Sequence, residues 1–451
     1  MTSSFSNLLL LTFLTSPTLS SPPLYITPLL NSGRYLEAQQ RSHVTEIIPG
    51  VPDAGYSGFF TIDATRGTHL HFWFQPKENC SHWQREPLVL WLQGGWGGTS
   101  FRGSLLEQLF PYWVSEDGSV GRSESALSKH VNVLWIETTN VGFSYTEDPN
   151  YILTNFDMIA EEQYAGLTQF FTLFPDLKRT VFIYSASVGA PKGTALAQLI
   201  LKRNRTVVDV GGVIYGDGLL DRDTESALVG DYFYNFGLLE KAAARNLGNR
   251  LEQIHAAKMS GDFRRTTDEA RGVQEDIIPH IGFPYTTDVQ DIMHAFRTND
   301  SWTDHMLTSH IRDKLHVGDL PFTVQHKPSF ELLQASQAKL DTSNLAAILN
   351  HRVPMLKYHG QYDGLIDYQS TMTTFYAVDW YGQSCLRTKQ FARSQVWISG
   401  RLFGYWRQCH GLWELLVLRA AHVVPLAVPR PLWTFVSKFI TEASAATRGN
   451  I

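Results

Sequence analysis

The pattern of apolar positions divides the chain into short runs that predict buried β-strands and longer stretches that predict helices. The run Pro-Leu-Val-Leu-Trp-Leu at 87–92 is nearly all apolar, as expected of a strand covered on both faces. The stretch 156–173 has apolar residues at helical spacing, which predicts a helix with one face on a sheet. Strands are predicted at 55–62, 69–74, 87–92, 132–136, 181–184, 207–215, 354–358 and 414–418. Helices are predicted at 156–173, 193–201, 238–259, 287–298 and 431–445.

Strands and helices alternate in the first half of the chain, which predicts an α/β fold with a mostly parallel sheet flanked by helices. From about 222 to 340, helical spacing and charge dominate, and no buried strand is predicted. We therefore expect a signal peptide at 1–21, the first part of an α/β core at 22–221, a helical cap insertion at 222–340 and the second part of the core at 341–451. Such an insertion is expected over the carboxyl ends of the strands, where open α/β sheets bind ligands.

Ser187 lies where the strand predicted at 181–184 leads into the helix predicted at 193–201. The spacing Ser185-x-Ser187-x-Gly189 has the form of a nucleophile elbow, a tight turn that holds a serine in a strained backbone conformation. Small residues are needed two positions before and after this serine because neighbouring chain segments pass close by. On this spacing alone, a serine that merely ends a strand is the better interpretation.

Two further strands lead to residues that would complete a catalytic triad. The strand at 354–358 leads to Asp363, and the strand at 414–418 leads to His422. A serine hydroxyl becomes a good nucleophile when an imidazole accepts its proton, and an acid then fixes the tautomer of that imidazole. The chain order serine, aspartate, histidine is the order that α/β-hydrolases use. Each residue alone has an ordinary structural explanation, but together they predict nucleophilic catalysis by Ser187.

A glycine-rich loop at 93–98 follows the strand at 87–92. Its glycines allow the backbone to approach a ligand closely and to present N–H groups, as an oxyanion hole requires. A glycine-rich turn without a ligand is an equally good interpretation of the loop alone.

Composition argues against several other classes of function. The 451 residues are 43% hydrophobic and 18% charged, which is typical of a globular protein. The net charge of −5, without a basic stripe, argues against a nucleic-acid partner. No stretch approaches the roughly 18 consecutive apolar residues of a membrane-spanning helix, so we expect no membrane anchor. The spacings C-x-x-C and H-E-x-x-H do not occur, and we predict no metal and no cofactor.

The N-terminus indicates entry into the secretory pathway. Residues 7–21 consist of an apolar core followed by small residues, which is the layout of a signal peptide. Three N-x-S/T sequons, at positions 79, 204 and 299, are consistent with glycosylation. Cys385 and Cys409 could form a disulfide bond that leaves Cys80 free, although the sequence does not establish the pairing.

The chain resembles the serine carboxypeptidases, most closely their vitellogenic-like branch, from residue 23 to the C-terminal helix. The matching motifs are Pro-Leu-Val-Leu-Trp-Leu-Gln-Gly-Gly-x-Gly-Gly at 87–98, Asn-Val-Leu at 132–134, Gly-Phe-Ser-Tyr-Thr at 142–146, Gly-Asp-Gly at 216–218, Gly-Gln-Tyr-Asp at 360–363 and Ala-His-Val-Val-Pro at 421–425. The resemblance implies an α/β-hydrolase fold with a helical cap and a triad of Ser187, Asp363 and His422. It also implies an oxyanion hole formed by the backbone N–H groups of Gly95 and Val188.

The resemblance further implies how a substrate is recognised. In this family the loop that here contains Gln93 and Gly94 binds the free C-terminal carboxylate of a peptide, with an acidic side chain at the position of Glu107. Carboxyl groups can meet a carboxylate only when a proton is shared, which favours acidic pH. We therefore expect a secreted or lysosomal serine carboxypeptidase that cleaves peptides with a free C-terminus through an acyl-enzyme. Many family members are homodimers.

Several residues near the serine depart from the family pattern. Ser185 and Ala186 stand where the family has Gly-Glu, so one acidic member of the carboxylate-binding network is missing. Trp96 replaces the proline of the glycine loop, and residues 188–192 replace an expected Tyr-Ala-Gly-Lys-Tyr run. An esterase or acyltransferase with the same triad is therefore an alternative, as is a non-catalytic binding glycoprotein that retains the fold.

Overall fold

The computed structural model describes residues 21–51, 55–95, 97–114, 119–203, 205–221, 228–262, 264–266, 268–269, 272–273, 281, 290–293, 307–337 and 342–448. Residues 1–20 of the predicted signal peptide, Trp96 and the sequon asparagines at 204 and 299 lie outside these ranges. The strands are β1 (His43–Val44), β2 (Gly55–Asp63), β3 (Thr68–Gln75), β4 (Leu88–Leu92), β5 (Tyr112–Val114), β6 (Val120–Arg122), β7 (Asn132–Ile136), β8 (Tyr145–Thr146), β9 (Thr180–Ala186), β10 (Asp209–Gly216), β11 (Met355–Gly360), β12 (Ser394–Ile398), β13 (Arg401–Cys409) and β14 (Leu412–Val417). The helices are α1 (Thr27–Asn31), α2 (Tyr35–Ser42), α3 (Ser100–Leu106), α4 (Phe156–Leu173), α5 (Ala190–Lys202), α6 (Val229–Asn235), α7 (Lys241–Met259), α8 (Ser309–Lys314), α9 (Lys327–Gln337), α10 (Ser343–Asn350), α11 (Thr373–Ala377), α12 (Val424–Ala427) and α13 (Pro429–Arg448).

Twelve of the described strands form one sheet in the order β1-β2-β3-β7-β4-β9-β10-β11-β14-β13-β12, with β8 paired to β3. The six central strands, from β7 to β14 in this order, run parallel to one another. Antiparallel strands extend the sheet at both edges. The predicted α/β fold with a mostly parallel central sheet is therefore confirmed.

Side chains alternate between the two faces of the sheet, so the central strands contribute to two hydrophobic cores. In β9, Val181 and Ile183 pack on the face that α4 and α5 cover. Phe182 and Tyr184 pack on the opposite face, which α3 and α13 cover. Because both faces are buried, each central strand needs a continuous apolar run, and these runs made the central strands predictable.

The two helices beside β9 begin at residues suited to a helix start. The side chain of Asn155 accepts a hydrogen bond from the backbone N–H of Met158 at 3.0 Å and caps α4. Pro191 lies in the first turn of α5, where its missing N–H costs nothing because that group has no partner within the helix.

The antiparallel edge formed by β12 and β13 was not predicted. These strands are only partly buried, and Trp397 in β12 is 59% exposed. An edge strand with one exposed face lacks the apolar run that marks a central strand. A disulfide bond joins Cys409, the last residue of β13, to Cys385, and Cys80 is a free cysteine.

The helix predicted at 287–298 is wrong where it can be compared, since residues 290–293 are described and are not α-helical. The carbonyl of Gln290 accepts a hydrogen bond from the backbone N–H of His422 at 2.8 Å, and the N–H of Ile292 donates to the carbonyl of Tyr362 at 3.1 Å. Backbone groups that bond to neighbouring loops are not free to form a helix, so tertiary contacts override the local pattern.

Helices α6 and α7 form a hydrophobic cluster of their own, which includes Tyr232, Leu251 and Ile254. Tyr362 and Leu365, on the loop that follows β11, pack against this cluster. The two helices therefore lie over the carboxyl end of the sheet, while the boundaries of the helical cap at 222 and 340 stay a prediction. Among the helices that the structure describes, none has both the length and the hydropathy required to cross a membrane.

Candidate active site

Five adjacent parallel strands bring chemically active residues to one edge of the sheet. In sheet order these strands are β4, β9, β10, β11 and β14. The residues that follow their carboxyl ends are Gln93, Ser187, Asp217, Asp363 and His422. Parallel strands end at the same edge, so segments far apart in sequence meet there.

The structure brings the three predicted triad residues into hydrogen-bonding contact. His422 Nε2 lies 2.9 Å from Ser187 Oγ, and His422 Nδ1 lies 2.7 Å from Asp363 Oδ2. In the tautomer that this geometry requires, Nδ1–H donates to the aspartate and Nε2 accepts the serine proton. The other oxygen of Asp363 accepts the backbone N–H groups of Leu365 and Ile366, each at 2.9 Å. The side chain of His422 is 8% exposed and that of Asp363 is fully buried.

The backbone around Ser187 has the geometry of a nucleophile elbow. Ser187 has a φ of 53°, in the left-handed region that is unfavourable for residues other than glycine. A Cβ on Gly189 would lie 3.0 Å from the carbonyl oxygen of Gln93, which explains the small residue two positions after the serine. A Cβ on Gly94 would lie 2.8 Å from the carbonyl oxygen of Ala186 and 2.9 Å from Ser187 Cβ. The glycine loop therefore packs directly on the serine.

The segment 323–325 lies beside the glycine loop. The backbone N–H of Thr99 donates to the carbonyl of Val324 at 3.0 Å, and Gln325 Nε2 donates to the carbonyl of Gly95 at 2.5 Å. Gly95 is exposed with a φ of 69°, and Val188 is buried directly after the serine. These positions are those expected of the two oxyanion-hole donors, whose role stays a prediction.

A buried lysine and a buried glutamate hold the two ends of the glycine loop. Lys192, which is 3% exposed, donates from Nζ to the carbonyl of Gln93 at 2.6 Å. The Glu137 carboxylate accepts the backbone N–H groups of Ser100 and Phe101, each at 3.0 Å, at the start of α3. Burial lowers the pKa of Lys192 to about 8, and the nearby charge of Glu137 acts in the opposite direction.

Glu107 lies at the C-terminal end of α3 and is 6% exposed. Burial raises the pKa of its carboxyl group to about 8 from an ordinary value of 4.5. The negative charge of Glu107 also acts on Asp217, Tyr184 and Tyr358, so these groups form a buried cluster below the elbow. At acidic pH the carboxyl group of Glu107 is protonated and can donate a hydrogen bond.

Sequence reasoning did not identify Lys192, Glu137 or Asp217 as site residues. Lys192 belongs to the run that departs from the family pattern, and Asp217 follows β10 within the motif Gly-Asp-Gly. Position at the carboxyl end of a strand was the signal that could have drawn attention to Asp217. Lys192 and Glu137 act on backbone groups, and such contacts leave no pattern in the sequence.

The arrangement is suited to proton transfer. A carboxylate oxygen of Asp217, one of Asp363 and a ring nitrogen of His422 lie within 4.8 Å of one another, a spacing that could hold a metal ion. However, Asp363 already accepts three N–H donors, and His422 uses both ring nitrogens. These hydrogen bonds orient an imidazole between a hydroxyl and a carboxylate, which is the requirement for activating a serine nucleophile.

The chain is similar to known carboxypeptidases over most of its length. The family model described as serine carboxypeptidase matches residues 48–442. A venom serine carboxypeptidase of Apis mellifera is 28% identical over 433 residues, which cover 92% of this chain and 90% of the relative. A probable serine carboxypeptidase of Homo sapiens, CPVL, is 25% identical over 448 residues, with coverage of 93% and 90%.

A solved structure shows the same fold. The prohormone-processing carboxypeptidase of Saccharomyces cerevisiae superposes with a TM-score of 0.75 at 18% identity, covering 90% of this chain and 96% of that one. This likeness confirms the α/β-hydrolase fold. Because the family model spans most of the chain, the protein belongs to the serine carboxypeptidase family.

Proposed function

We propose that this protein is a serine carboxypeptidase that releases C-terminal residues from peptides through an acyl-enzyme intermediate. The observation that carries the proposal is the position of His422, which lies 2.9 Å from the hydroxyl of Ser187 and 2.7 Å from the carboxylate of Asp363. A hydrogen-bonded triad on an elbow with a left-handed serine supports an enzyme over a non-catalytic protein that merely retains the fold.

The first half of the reaction forms the acyl-enzyme. Ser187 Oγ attacks the carbonyl carbon of the last peptide bond while His422 Nε2 accepts the hydroxyl proton. The negative oxygen of the tetrahedral intermediate is stabilised by the backbone N–H groups of Val188 and Gly95. His422 then donates its proton to the leaving amine, and the C-terminal residue departs. Asp363 remains ionised and stabilises the imidazolium in between.

The second half releases the shortened peptide. Water attacks the ester carbon while His422 accepts a proton from it, and collapse of the second tetrahedral intermediate returns that proton to Ser187. Because the same imidazole acts as base and then as acid in both halves, activity requires His422 to be uncharged at the start of each.

Recognition of the terminal carboxylate is assigned to the glycine loop and Glu107. Below about pH 8 Glu107 holds its proton, since burial raises its pKa to that value. A protonated carboxyl group donates a hydrogen bond to the substrate carboxylate, whereas an ionised one repels it. Gly94 packs on Ser187, and Gln93 directly precedes Gly94 in the loop, which supports the assignment of both residues to this subsite. This assignment makes conditions below about pH 8 favourable for binding.

Labelling with a fluorophosphonate tests whether the triad is catalytic. We expect the wild type to be labelled and Ser187→Ala to remain unlabelled, with activity on blocked dipeptides reduced by at least about 10⁴-fold. The exposed Ser32, which lies outside the triad, supplies a matched control, since Ser32→Ala is expected to label normally. Absence of labelling in the wild type would favour the non-catalytic alternative.

Peptidase specificity is tested with blocked dipeptides that carry a free or an amidated C-terminus. The assay is done at a pH of about 5, where carboxyl groups that share a proton with the substrate carboxylate hold that proton. We expect the free acid to be cleaved with the higher kcat/KM. Equal rates on both would argue against a carboxypeptidase and for the second candidate function.

That second candidate is an esterase or acyltransferase with the same triad, and Ala186 is the observation that favours it. The family has a glutamate at this position, so this chain has lost one acidic member of the carboxylate-binding network. Ala186→Glu is expected to increase the preference for a free over an amidated C-terminus at acidic pH. An unchanged preference would show that Ala186 does not limit recognition of the terminal carboxylate.

Transport through the secretory pathway, to the exterior or to lysosomes, is also part of the proposal. It is supported by the apolar core and small residues at 7–21. The asparagine of the first sequon, Asn79, is exposed and therefore accessible to a glycan. A homodimer stays a prediction from the family resemblance.

A further inference from the structure

Asp217 is a buried acid beside the triad that the reaction described above does not use. It directly follows β10, the strand that lies between the strands leading to Ser187 and Asp363. Its side chain is 2% exposed. An oxygen of Asp217, an oxygen of Asp363 and a ring nitrogen of His422 all lie within 4.8 Å of one another.

Two buried carboxyl groups this close together favour a state with one proton between them. Asp363 accepts the N–H groups of Leu365 and Ile366 and that of the His422 ring, and all three bonds stabilise its ionised form. Asp217 Oδ1 accepts a single N–H, from Gly360 at 2.8 Å. The proton therefore belongs on Asp217, whose other oxygen is left to donate it toward Asp363.

The electrostatic interactions of Asp217 and Asp363 agree with a proton on Asp217. Burial, and then the negative charge of Asp363, raise the pKa of Asp217 well above its usual range, while the hydrogen bond from Gly360 opposes the rise. Glu107, once it ionises above about pH 8, acts in the same direction as the charge of Asp363.

Other titratable groups face the cluster from the elements packed around it. Tyr184 on β9 and Tyr358 on β11 have pKa values raised by burial and lie near the charge of Asp217. Tyr232 on α6 and Asp367, in the loop after β11, lie near the charge of Asp363, and burial raises the pKa of Asp367 to about 6. His359 on β11 stays uncharged, because burial and the charges of Lys357 and His422 lower its pKa well below its usual range.

We propose that Asp217 is a positioning residue of the triad: it donates a hydrogen bond to the carboxylate of Asp363 and so limits the negative charge that Asp363 presents to His422. The physical link is the charge on Asp363, which stabilises the imidazolium form of His422. A donated hydrogen bond withdraws part of that charge and weakens the stabilisation. The inference rests on the proposed hydrolase function.

The test measures the rate of fluorophosphonate labelling of the full-length protein between about pH 4 and pH 8. In this range the rate of a reaction that needs an uncharged histidine falls as the pH is lowered, and this falling part of the pH profile is its acid limb. Asp217→Ala removes the donor, and we expect the acid limb to move up by about one pH unit, which is about a tenfold slower rate on that limb. Asp217→Asn keeps an acceptor for Gly360 and a donor for Asp363, and we expect it to retain the wild-type limb. Glu162→Gln removes a buried carboxyl group that bonds to Thr139 and Tyr151, and serves as the matched control with an unchanged limb.

The asparagine variant also distinguishes protonation states. If Asp217 were ionised, Asp217→Asn would remove a negative charge near His422 and shift the acid limb downward. Asp217 has a left-handed backbone, with a φ of 46°, that asparagine tolerates better than alanine, so thermal unfolding is measured for every variant. If the alanine variant does not fold, the asparagine variant decides alone.

A wild-type limb in folded Asp217→Ala, or a displaced limb in Asp217→Asn, overturns the inference while leaving the proposed function intact. A wild type that is not labelled at any pH overturns the proposed function and this inference with it. A displaced limb in Glu162→Gln would show that any buried acid has this effect, and would overturn the assignment to Asp217.

Discussion

Replacement of Glu107 by glutamine tests whether the buried carboxyl group holds its proton up to neutral pH. Burial raises the pKa of Glu107 from an ordinary 4.5 to about 8. Between these two values the unfolded chain has released the proton and the folded protein has retained it. Folding stability therefore falls as the pH rises through this interval, because the folded state binds more protons than the unfolded state.

The magnitude follows from the shift. One pKa unit corresponds to about 1.4 kcal/mol, so a rise from 4.5 to about 8 amounts to a loss of order 5 kcal/mol by pH 8. Glutamine does not titrate and has nearly the same shape. Relative to the wild type, Glu107→Gln is expected to become progressively more stable from pH 4.5 to pH 8, whatever constant difference the amide group introduces at pH 4.5.

The assay is urea denaturation followed by tryptophan fluorescence at several pH values across this interval. The control is Glu252→Gln on α7, an exposed glutamate, for which the stability difference from wild type should not depend on pH in this way. A constant difference between Glu107→Gln and wild type from pH 4.5 to pH 8 would refute the reasoning. It would mean that Glu107 is ionised at acidic pH, and its assignment as a donor to the substrate carboxylate would then fail as well.

Two further predictions concern the glycine loop. Lys192→Met leaves the carbonyl of Gln93 without the Nζ donor, so we expect a loss of about 1–3 kcal/mol in unfolding free energy and about a tenfold lower kcat/KM. Unchanged kinetics would show that the loop does not depend on the lysine. Gly94→Ala places a Cβ 2.9 Å from Ser187 Cβ, and the displaced serine should be labelled by fluorophosphonate about 100-fold more slowly. Gly248→Ala in α7 is the control, because the new Cβ has no neighbour outside its own helix within 4 Å. This variant should be labelled normally and gain up to about 1 kcal/mol in stability. Equal labelling of both alanine variants would contradict the contact between Gly94 and Ser187.

The predictions from sequence were most accurate where a local pattern reflects burial on both sides. The strand predicted at 132–136 and the helix predicted at 156–173 have the observed bounds. The edge strands β12 and β13 were missed because their partly exposed surfaces carry no apolar run. The helix predicted at 287–298 failed at 290–293 because core loops bind the backbone there. Local patterns therefore predict central elements better than edges and contacting loops.

The residues of the candidate site also fall into two groups: those that a local sequence pattern indicates and those that only tertiary packing reveals. Ser187, Asp363 and His422 could be named from sequence because each follows a predicted strand and because their order matches the triad order of the fold. Lys192 could not be named in this way, since its role depends on a single carbonyl that tertiary packing places 2.6 Å from its Nζ. The role of a buried charge is set by its neighbours in space, which the sequence does not specify.

By itself, the sequence determined which segments are strands and helices of the core and which three residues form the candidate triad, because apolar periodicity and strand-end position are local properties. Only the tertiary structure decided that β10 lies between the strands leading to Ser187 and Asp363, and that the Asp217 carboxyl group therefore lies within 4.8 Å of the triad acid. It also decided that Glu107 holds a proton up to about pH 8, because a carboxyl group ionises with difficulty where water is excluded, and burial is a property of the whole fold.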